Sequence, residues 1–334
     1  MKITKALIVA GGGIGDVLMA TPMIRAVAAE NDNVQISVLV VSGVNRQVLQ
    51  SNPDVFNVFV WKEFENDKLN LIKLIQKEGF EIAIHSHGST RNYFHAIPLL
   101  AGIPIRLGFN RRPLGGGIMA WVRMKTLTSS ILYSVGEAKR TRMNLDLLRF
   151  CGIENDDESY VLSSNEPAVK NQGMIGFHPG CDAKGEIKRW PIERFVALGK
   201  KLIDQKCATK VSFYLGPSEQ DLKSAISGNA GFEVVEAKSI GELSEKMSLC
   251  EIFVSNDSGL SHVAAALKLP TVVLFGPTTP QEYILPTLHR NIEMEDRNCS
   301  GCFQRKKCQN FEPSCMVNIS VDCVLEAVQE LQSK

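Results

Sequence analysis

Short apolar runs alternate with amphipathic stretches along this chain, and this alternation limits the fold more than any other feature of the sequence. The runs at 6–10 and Thr271–Phe275 are five residues long, which suits a buried strand. The stretches between such runs, for example 259–267, carry apolar residues at helical spacing. Strands that alternate with helices form parallel sheets joined by crossover helices. The sequence therefore predicts an α/β protein.

The same rhythm restarts in the second half of the chain, which predicts two domains. Predicted strands lie at 6–10, 35–41, 58–61, 82–85 and 106–108, and again at 175–178, 210–215, 233–235, 252–255 and 271–275. The polar stretch 155–173 between the two sets has few residues that a core could bury. We expect an N-terminal domain over 1–165, a C-terminal domain over 172–318, and a helix over 319–334 that could pack back on the N-terminal domain.

Charge is distributed unevenly, although the formal net charge is only +1. Residues 89–149 hold ten basic and two acidic side chains. Such a patch suits an acidic acceptor or an anionic membrane surface, or is a solvated face with salt bridges. The apolar run near the N-terminus is too short for a signal peptide, and no run of eighteen apolar residues could span a bilayer. We expect a cytoplasmic protein that could lie at a membrane surface, with no transmembrane segment and no nucleic-acid partner.

The glycine-rich stretch GGGIGD, residues 11–16, follows the first predicted strand and ends in a carboxylate. Neither register of these glycines completes the dinucleotide-binding pattern GxGxxG, and no GK[ST] follows to make a P-loop. Asp16 is a favoured residue for capping a helix. Pro22 suits a first helical position, and a helix beginning there would leave Asp16 in a preceding turn, free to reach a ligand.

Two later stretches could bind an anion. In 175–191, a polar loop with Lys184, Lys188 and Arg189 follows a predicted strand, so these cations could neutralise a leaving diphosphate or form an ordinary solvated loop. In 254–278, Asp257 is a candidate N-cap, and the next residues expose amides at the positive end of a helix dipole. His262 lies four residues after Ser258 and so on the same face of the predicted helix. It could be a packed core residue or part of the anion-binding site.

Taken together, these stretches resemble glycosyltransferase family nine, the ADP-heptose:lipopolysaccharide heptosyltransferases. The motifs are GxGDxLxxTPxxRA, HPG…KRWP and SxDSGLSHxAAAL…PTVxLFGPT, in that order. The resemblance implies a GT-B fold, in which two Rossmann-like doubly wound domains face each other across a cleft. It also implies inverting, metal-independent transfer of heptose from ADP-heptose to the lipopolysaccharide inner core. No cofactor is expected, and the expected acceptor is an acidic glycolipid at the inner membrane surface.

The resemblance also assigns roles to residues. Asp16 matches the catalytic base, and Lys188 matches the lysine that contacts the donor phosphates. The other positions expected to bind the donor are Gly180, Cys181, Glu219, Asp257, Ser258, Gly259 and His262. Those expected to bind the acceptor are Gly13, Gly15, Arg91, Arg111 and Arg112. Cys181 stands where the family usually has Ser or Thr, and the glycines before Asp16 are expected to make room for the acceptor hydroxyl.

Other functions remain open at this stage. A related transferase could use another nucleotide sugar or another surface glycan, and a protein of this fold could bind a nucleotide sugar without turnover. The incomplete GxGxxG and the lack of an acidic ribose partner near position 36 argue against a nicotinamide-dependent dehydrogenase.

Four cysteines, Cys299, Cys302, Cys308 and Cys315, form the pattern C-x2-C-x5-C-x6-C near the C-terminus. Four thiolates could hold a structural zinc ion, although the central gap is shorter than in typical two-knuckle sites. Reduced structural thiols, zinc ligands and disulfides are all compatible with this spacing. A catalytic role is not expected.

Overall fold

Two six-stranded parallel sheets form the framework of the computed structural model, which describes residues 2–88, 92–111, 125–134, 136–162, 171–181, 186–294, 302 and 315–334. The chain divides into two compact units, Met1–Ser163 and Ser164–Lys334, with one sheet in each. This agrees with the predicted restart of the strand–helix rhythm. The prediction of an α/β fold built from two doubly wound domains is confirmed.

The elements of the first unit follow the alternation seen in the sequence. They are β1 (Lys5–Ala10), α1 (Ile14–Ala29), β2 (Gln35–Val40), α2 (Gly43–Leu49), β3 (Asn57–Val60), α3 (Lys68–Glu78), β4 (Ile82–His85), α4 (Asn92–Leu100), β5 (Ile105–Arg111), β6 (Ser129–Tyr133) and α5 (Arg140–Leu147). The strand order is β3-β2-β1-β4-β5-β6, so the order reverses between β1 and β4.

The second unit repeats this topology. Its elements are β7 (Met174–His178), α6 (Ile192–Asp204), β8 (Lys210–Tyr214), α7 (Lys223–Ile226), β9 (Phe232–Val235), α8 (Ile240–Ser248), β10 (Ile252–Asn256), α9 (Gly259–Ala266), β11 (Thr271–Phe275), β12 (His289–Glu293), α10 (Cys315–Asn318) and α11 (Val321–Gln332). The order β12-β11-β10-β7-β8-β9 reverses between β7 and β10.

Each unit has its own apolar core between sheet and helices. In the first, Leu7 and Val9 of β1 pack with Leu71 and Ile75 of α3. In the second, Phe177, Phe195 and Phe213 pack with the last helix, α11.

The last helix, α11, belongs to the second unit. Its apolar side chains Val324, Val328 and Leu331 are buried in that unit's core. We expected instead a separate segment that could pack back on the N-terminal domain. The difference arises because the apolar stripe of α11 covers α6 and the strands β10, β11 and β12.

Helix α1 runs without a break through Pro22, so the alternative of a helix that begins at Pro22 is wrong. A proline within a helix leaves the carbonyl four residues earlier without its N–H donor. Here the hydroxyl of Thr21 donates to that carbonyl, of Leu18, at 2.7 Å. The same hydroxyl accepts the N–H of Val161 at 2.9 Å, which ties the end of the unit to the middle of α1.

Candidate functional site

In open α/β sheets, ligands bind beyond the carboxyl ends of the strands, where the strand order reverses. In the first unit, the start of α1 after β1 and the loop after β4 meet at that position, and they carry Asp16 and Gly88. In the second unit, the loops after β7 and β10 carry Lys188 and Asp257. The topology therefore assigns one candidate site to each unit.

Asp16 lies in the first turn of α1, three residues after the N-cap Gly13. Its Oδ2 accepts the N–H of Gly13 at 2.9 Å, so the carboxylate does cap the helix, from position N3. Its Oδ1 is 3.3 Å from Nη1 of Arg140, the first residue of α5. The side chain of Asp16 remains 23% exposed. One carboxylate thus caps a helix and faces a cation while retaining access to solvent.

The glycines near Asp16 make room for protein atoms. A β-carbon on Gly88 would lie 2.5 Å from the Cβ, Cγ and Oδ1 atoms of Asp16, and one on Gly12 would overlap the same side chain. A β-carbon on Gly11 would lie 2.6 Å from the ring of Phe94. The expectation that these glycines admit an acceptor hydroxyl is therefore corrected for Gly11 and Gly12, because the space is already filled. A β-carbon on Gly13 would be uncrowded, with Oδ2 of Asp16 4.0 Å away as its nearest contact. Gly15 is buried in the first turn of α1.

His87, which the sequence reasoning missed, follows β4 beside Gly88 and is 5% exposed. Neither ring nitrogen has a hydrogen-bond partner in the described part of the chain. Burial, with the nearby charge of Arg140, lowers the pKa of His87 to about 3, so the ring is neutral at neutral pH. The motif HSHG after a predicted strand was the signal that could have pointed to it.

Asn144 is a second residue that the sequence reasoning missed. It is buried, its Oδ1 accepts the N–H of His87 at 2.8 Å, and its Nδ2 donates to the carbonyl of Met19 at 2.9 Å. It therefore joins α5 to α1 and to the loop after β4. A lone asparagine within an amphipathic helix gives no sequence signal of such a role.

Within the described part of the basic stretch 89–149, several arginines are engaged by acceptors of the protein itself. Arg106 donates to the backbone carbonyls of Thr126 and Pro104, and Arg142 and Arg149 both pair with Asp146. Arg91 and Arg112, expected to bind the acceptor, lie outside the described residues, and only the backbone of Arg111 is described, at the end of β5. Within the described part of this stretch, Arg140 is the basic residue that contacts Asp16.

The site of the second unit is built around Asp257, which is 5% exposed. Nζ of Lys188 lies 2.6 Å from Oδ2 of Asp257, and the hydroxyl of Thr278 donates to the same oxygen at 2.7 Å. Burial alone would raise the pKa of Asp257, but the charge and hydrogen bond of Lys188 and the hydrogen bond of Thr278 outweigh it and leave the pKa below its ordinary value. Asp257 therefore stays ionised and holds the Lys188 ammonium in place.

Ser258, not Asp257, is the N-cap of α9, because the carboxylate of Asp257 is engaged with Lys188. The hydroxyl of Ser258 makes no capping hydrogen bond, and Oγ is buried without a hydrogen-bond partner among the described residues. Gly259 is the first residue of α9. A buried hydroxyl left unpaired at a helix start is a feature that a bound anion would satisfy.

Glu219 lies after β8 and is 3% exposed. The N–H of Gly216 donates to Oε2 at 2.8 Å, and the hydroxyl of Ser218 donates to Oε1 at 2.6 Å. Arg189, next to Lys188, reaches Oε1 at 3.6 Å through Nη2. The two adjacent cations thus pair with buried carboxylates on opposite sides of β7.

The turn after β7 is tightly packed. A β-carbon on Gly180 would lie 2.7 Å from Glu219 and from His178, and Cys181 is buried and hydrogen-bonded to Arg189. Buried Asn256, which the sequence reasoning missed, donates to the carbonyls of Pro179 and Gly180 and accepts the N–H of Trp190. These bonds fix both ends of the loop that carries Lys188.

His262 is 3% exposed, and its ring packs edge-on against Tyr283 with centroids 6.4 Å apart. His262 lies close enough to Asp257 to be one of the groups that lower the pKa of that carboxyl, after Lys188 and Thr278. The structure therefore places it in a packed environment beside the site, in keeping with both roles considered for it.

Of the four clustered cysteines, Cys299 and Cys308 lie outside the described residues. Cys302 is a free thiol in the described part of the chain, and Cys315, the first residue of α10, is buried. Among described residues, no group of three or more His, Cys, Asp or Glu side chains could hold a metal ion. Over the same ranges, no helix combines the length and hydropathy needed to cross a bilayer.

Comparison with known proteins places this architecture in context. The family model described as glycosyltransferase family 9 (heptosyltransferase) matches residues 69–311. Lipopolysaccharide heptosyltransferase 2 of Escherichia coli K12 is 25% identical over 86% of each chain. The structure of E. coli ADP-heptose lipopolysaccharide heptosyltransferase II has a TM-score of 0.74 at 22% identity and covers 98% of each chain. An E. coli heptosyltransferase solved with ADP-2-deoxy-2-fluoro heptose has a TM-score of 0.74 at 16% identity, covering 98% of this chain and 99% of that one.

Proposed function

The chain belongs to glycosyltransferase family 9, the heptosyltransferases, and from this premise we propose that it transfers heptose from ADP-heptose to the inner core of lipopolysaccharide. The transfer is inverting and independent of a metal ion. The acceptor is an acidic glycolipid at the inner membrane surface. The observation that carries the proposal is the Asp16 carboxylate, held at the reversal point of the first sheet with part of its surface open to solvent.

Asp16 acts as general base in this reaction. An acceptor hydroxyl oxygen attacks the anomeric carbon of the donor heptose, and its proton passes to the carboxylate of Asp16. The bond from the anomeric carbon to the diphosphate breaks, and ADP leaves with the bonding electrons. A base placed in this way contributes about 10²- to 10⁴-fold to the rate. Gly13, beside the carboxylate and free of crowding, leaves room for the hydroxyl.

Lys188 and the start of α9 bind the donor diphosphate. Lys188 is already oriented by Asp257, so it offers a fixed charge to the phosphates. The unpaired hydroxyl of Ser258 and the amides that follow it face an anion at the positive end of the helix dipole. These groups supply the charge stabilisation that a metal ion provides in other transferases.

Glu219 contacts the ribose of the nucleotide, and His262 lies beside the sugar. The bonds that Glu219 makes to Gly216 and Ser218 leave lone pairs on its oxygens for a ribose hydroxyl. Gly180 and Cys181 shape the turn that borders the phosphates. Arg91, Arg111 and Arg112 bind the acidic acceptor.

Asp16→Asn tests the base. We expect its kcat for transfer from ADP-heptose to a heptose-free inner-core acceptor to fall about 10²- to 10⁴-fold. Calorimetry should give an ADP-heptose affinity within about twofold of wild type, because the donor binds to the second unit. Asp157→Asn, which removes an exposed carboxylate paired with Arg25, is the matched control and should keep wild-type kcat. Full activity in Asp16→Asn would defeat the assignment.

The remaining parts of the proposal have separate tests. The coupling constant of the new anomeric centre, measured by NMR, should report the inverted configuration. The rate should be unchanged by a chelator, and a loss of activity restored by a divalent ion would contradict metal independence. Titration with ADP-, UDP- and GDP-sugars tests the donor, and tight binding of UDP with none of ADP would overturn ADP-heptose.

A further inference from the structure

Helix α5 brings two polar side chains, Arg140 and Asn144, to the site of Asp16. They are four residues apart and so share one face of the helix. We propose that Arg140 is a positioning residue that fixes the Asp16 carboxylate in the orientation needed for proton transfer. This inference rests on the proposed role of Asp16 as base.

The two oxygens of Asp16 are held by different parts of the chain. The N–H of Gly13 holds Oδ2 at 2.9 Å and comes from the same helix turn. Nη1 of Arg140 holds Oδ1 at 3.3 Å and comes from a helix far along the chain. The backbones of Gly12 and Gly88 lie against the side chain where a β-carbon would collide with it. Without Arg140, Oδ1 loses its cationic partner and the carboxylate gains freedom to turn.

Asn144 fixes the position of helix α5, which carries Arg140. It bonds the carbonyl of Met19 in α1 and the N–H of His87 after β4, so α5 is tied to both segments that surround Asp16. The low pKa of His87 reflects the charge of Arg140 as well as burial, which places that charge beside the same loop. The backbone of Arg140 is therefore held in place, and its guanidinium group contacts Oδ1 of Asp16.

We expect loss of Arg140 to slow the chemical step and to have little effect on folding or donor binding. Its side chain is 17% exposed and that of Asp16 is 23% exposed, so the pair is partly buried but both charges still reach water, which limits the cost of removing one of them. Donor binding uses residues of the second unit. Loss of Arg140 should therefore lower kcat while leaving the melting temperature and the KM for ADP-heptose close to those of wild type.

Arg140→Ala, with Arg140→Met as a second variant that keeps the aliphatic stem, tests this. We expect kcat to fall about 10- to 100-fold, the scale of a small misplacement of a catalytic group, with the KM values for both substrates within about twofold of wild type. Added guanidinium ion should restore part of the lost kcat in Arg140→Ala. Arg140→Lys should have an intermediate kcat.

Arg142→Ala is the control, because Arg142 lies on the same helix but pairs with Asp146 and Asp156. It should keep wild-type kcat and show no response to guanidinium. A kcat within twofold of wild type in Arg140→Ala would overturn the inference. An effect seen only as a raised KM for the acceptor would overturn it as well. If Asp16→Asn is inactive and Arg140→Ala is not impaired, this inference alone fails; if Asp16→Asn is active, the base assignment fails with it.

Discussion

Replacing Gly88 by Ala should move the Asp16 carboxylate without removing it. The added β-carbon would lie 2.5 Å from Asp16 Cβ, Cγ and Oδ1, whereas ordinary contact begins near 3.4 Å. Either the side chain or the loop after β4 must therefore shift by about 0.9 Å, the difference between the two distances. A misplacement of about 1 Å can cost roughly 100-fold in rate. We expect kcat to fall about 10- to 100-fold.

The same crowding has a smaller effect on stability. Overpacking of this kind costs about 1–3 kcal/mol, which corresponds to a fall in Tm of roughly 2–12 °C for a unit of this size. Gly43→Ala is the matched control, because nothing lies within 4 Å of the β-carbon it adds in α2. It should keep kcat and leave Tm unchanged or slightly higher.

Steady-state kinetics with both substrates saturating and thermal melting of the three proteins check this prediction. A kcat for Gly88→Ala within threefold of wild type would refute the reasoning. It would mean either that the position of the carboxylate does not limit catalysis or that the glycine contact is not tight.

Two further predictions concern buried charges. Lys188→Met leaves the buried carboxylate of Asp257 without its cation, so urea unfolding at pH 7 should show a loss of about 3–5 kcal/mol. In wild type the pKa of Asp257 lies below the unfolded value of 3.8, so its contribution to the free energy of unfolding is present above pH 3.8 and is lost as pH falls through the folded pKa. In the variant, burial without the lysine raises the pKa of Asp257, so the carboxyl becomes protonated and less costly to bury as pH falls. The difference in free energy of unfolding between wild type and variant should therefore narrow from pH 7 to pH 4. A deficit that is constant with pH would contradict this. The pKa of His87 falls from 6.5 to about 3 on folding, so the free energy of unfolding should decrease as pH falls below 6.5. In His87→Gln, the free energy of unfolding should depend less steeply on pH in this range. NMR should also show no titration of the wild-type ring between pH 8 and 5.

The interior strands could be predicted because their side chains report burial directly. Ile82–His85 and Thr271–Phe275 coincide with the predicted strands, since strands covered on both faces are runs of apolar residues. Among the edge strands of the two sheets, β3 and β9 were predicted, but Ser129–Tyr133 and His289–Glu293 were not. They lie at sheet edges, most of their residues are only half-buried, and their sequences carry polar side chains that hide the pattern.

The placement of the candidate residues was predictable where polar motifs follow the predicted strands. Asp16, Lys188 and Asp257 all lie at the reversal points of the sheets, as the motifs indicated. The sequence could not show that Asp257 holds Lys188, or that Asn144 and Asn256 fix the loops around the two sites, because such contacts join residues more than 50 positions apart. Pairings of this kind depend on the packed fold and leave no local pattern.

The burial of Val324, Val328 and Leu331 in the second core has a consequence for biosynthesis. The first unit can fold while the ribosome is still translating the second, because all residues of its core precede position 164. The second core stays incomplete until position 331 has emerged, which at about 5–20 residues per second takes roughly 8–34 s after the first unit is finished. During that time the apolar strands β10 and β11 lack their helical cover, so nascent chains at this stage are the ones most exposed to aggregation and most dependent on chaperones.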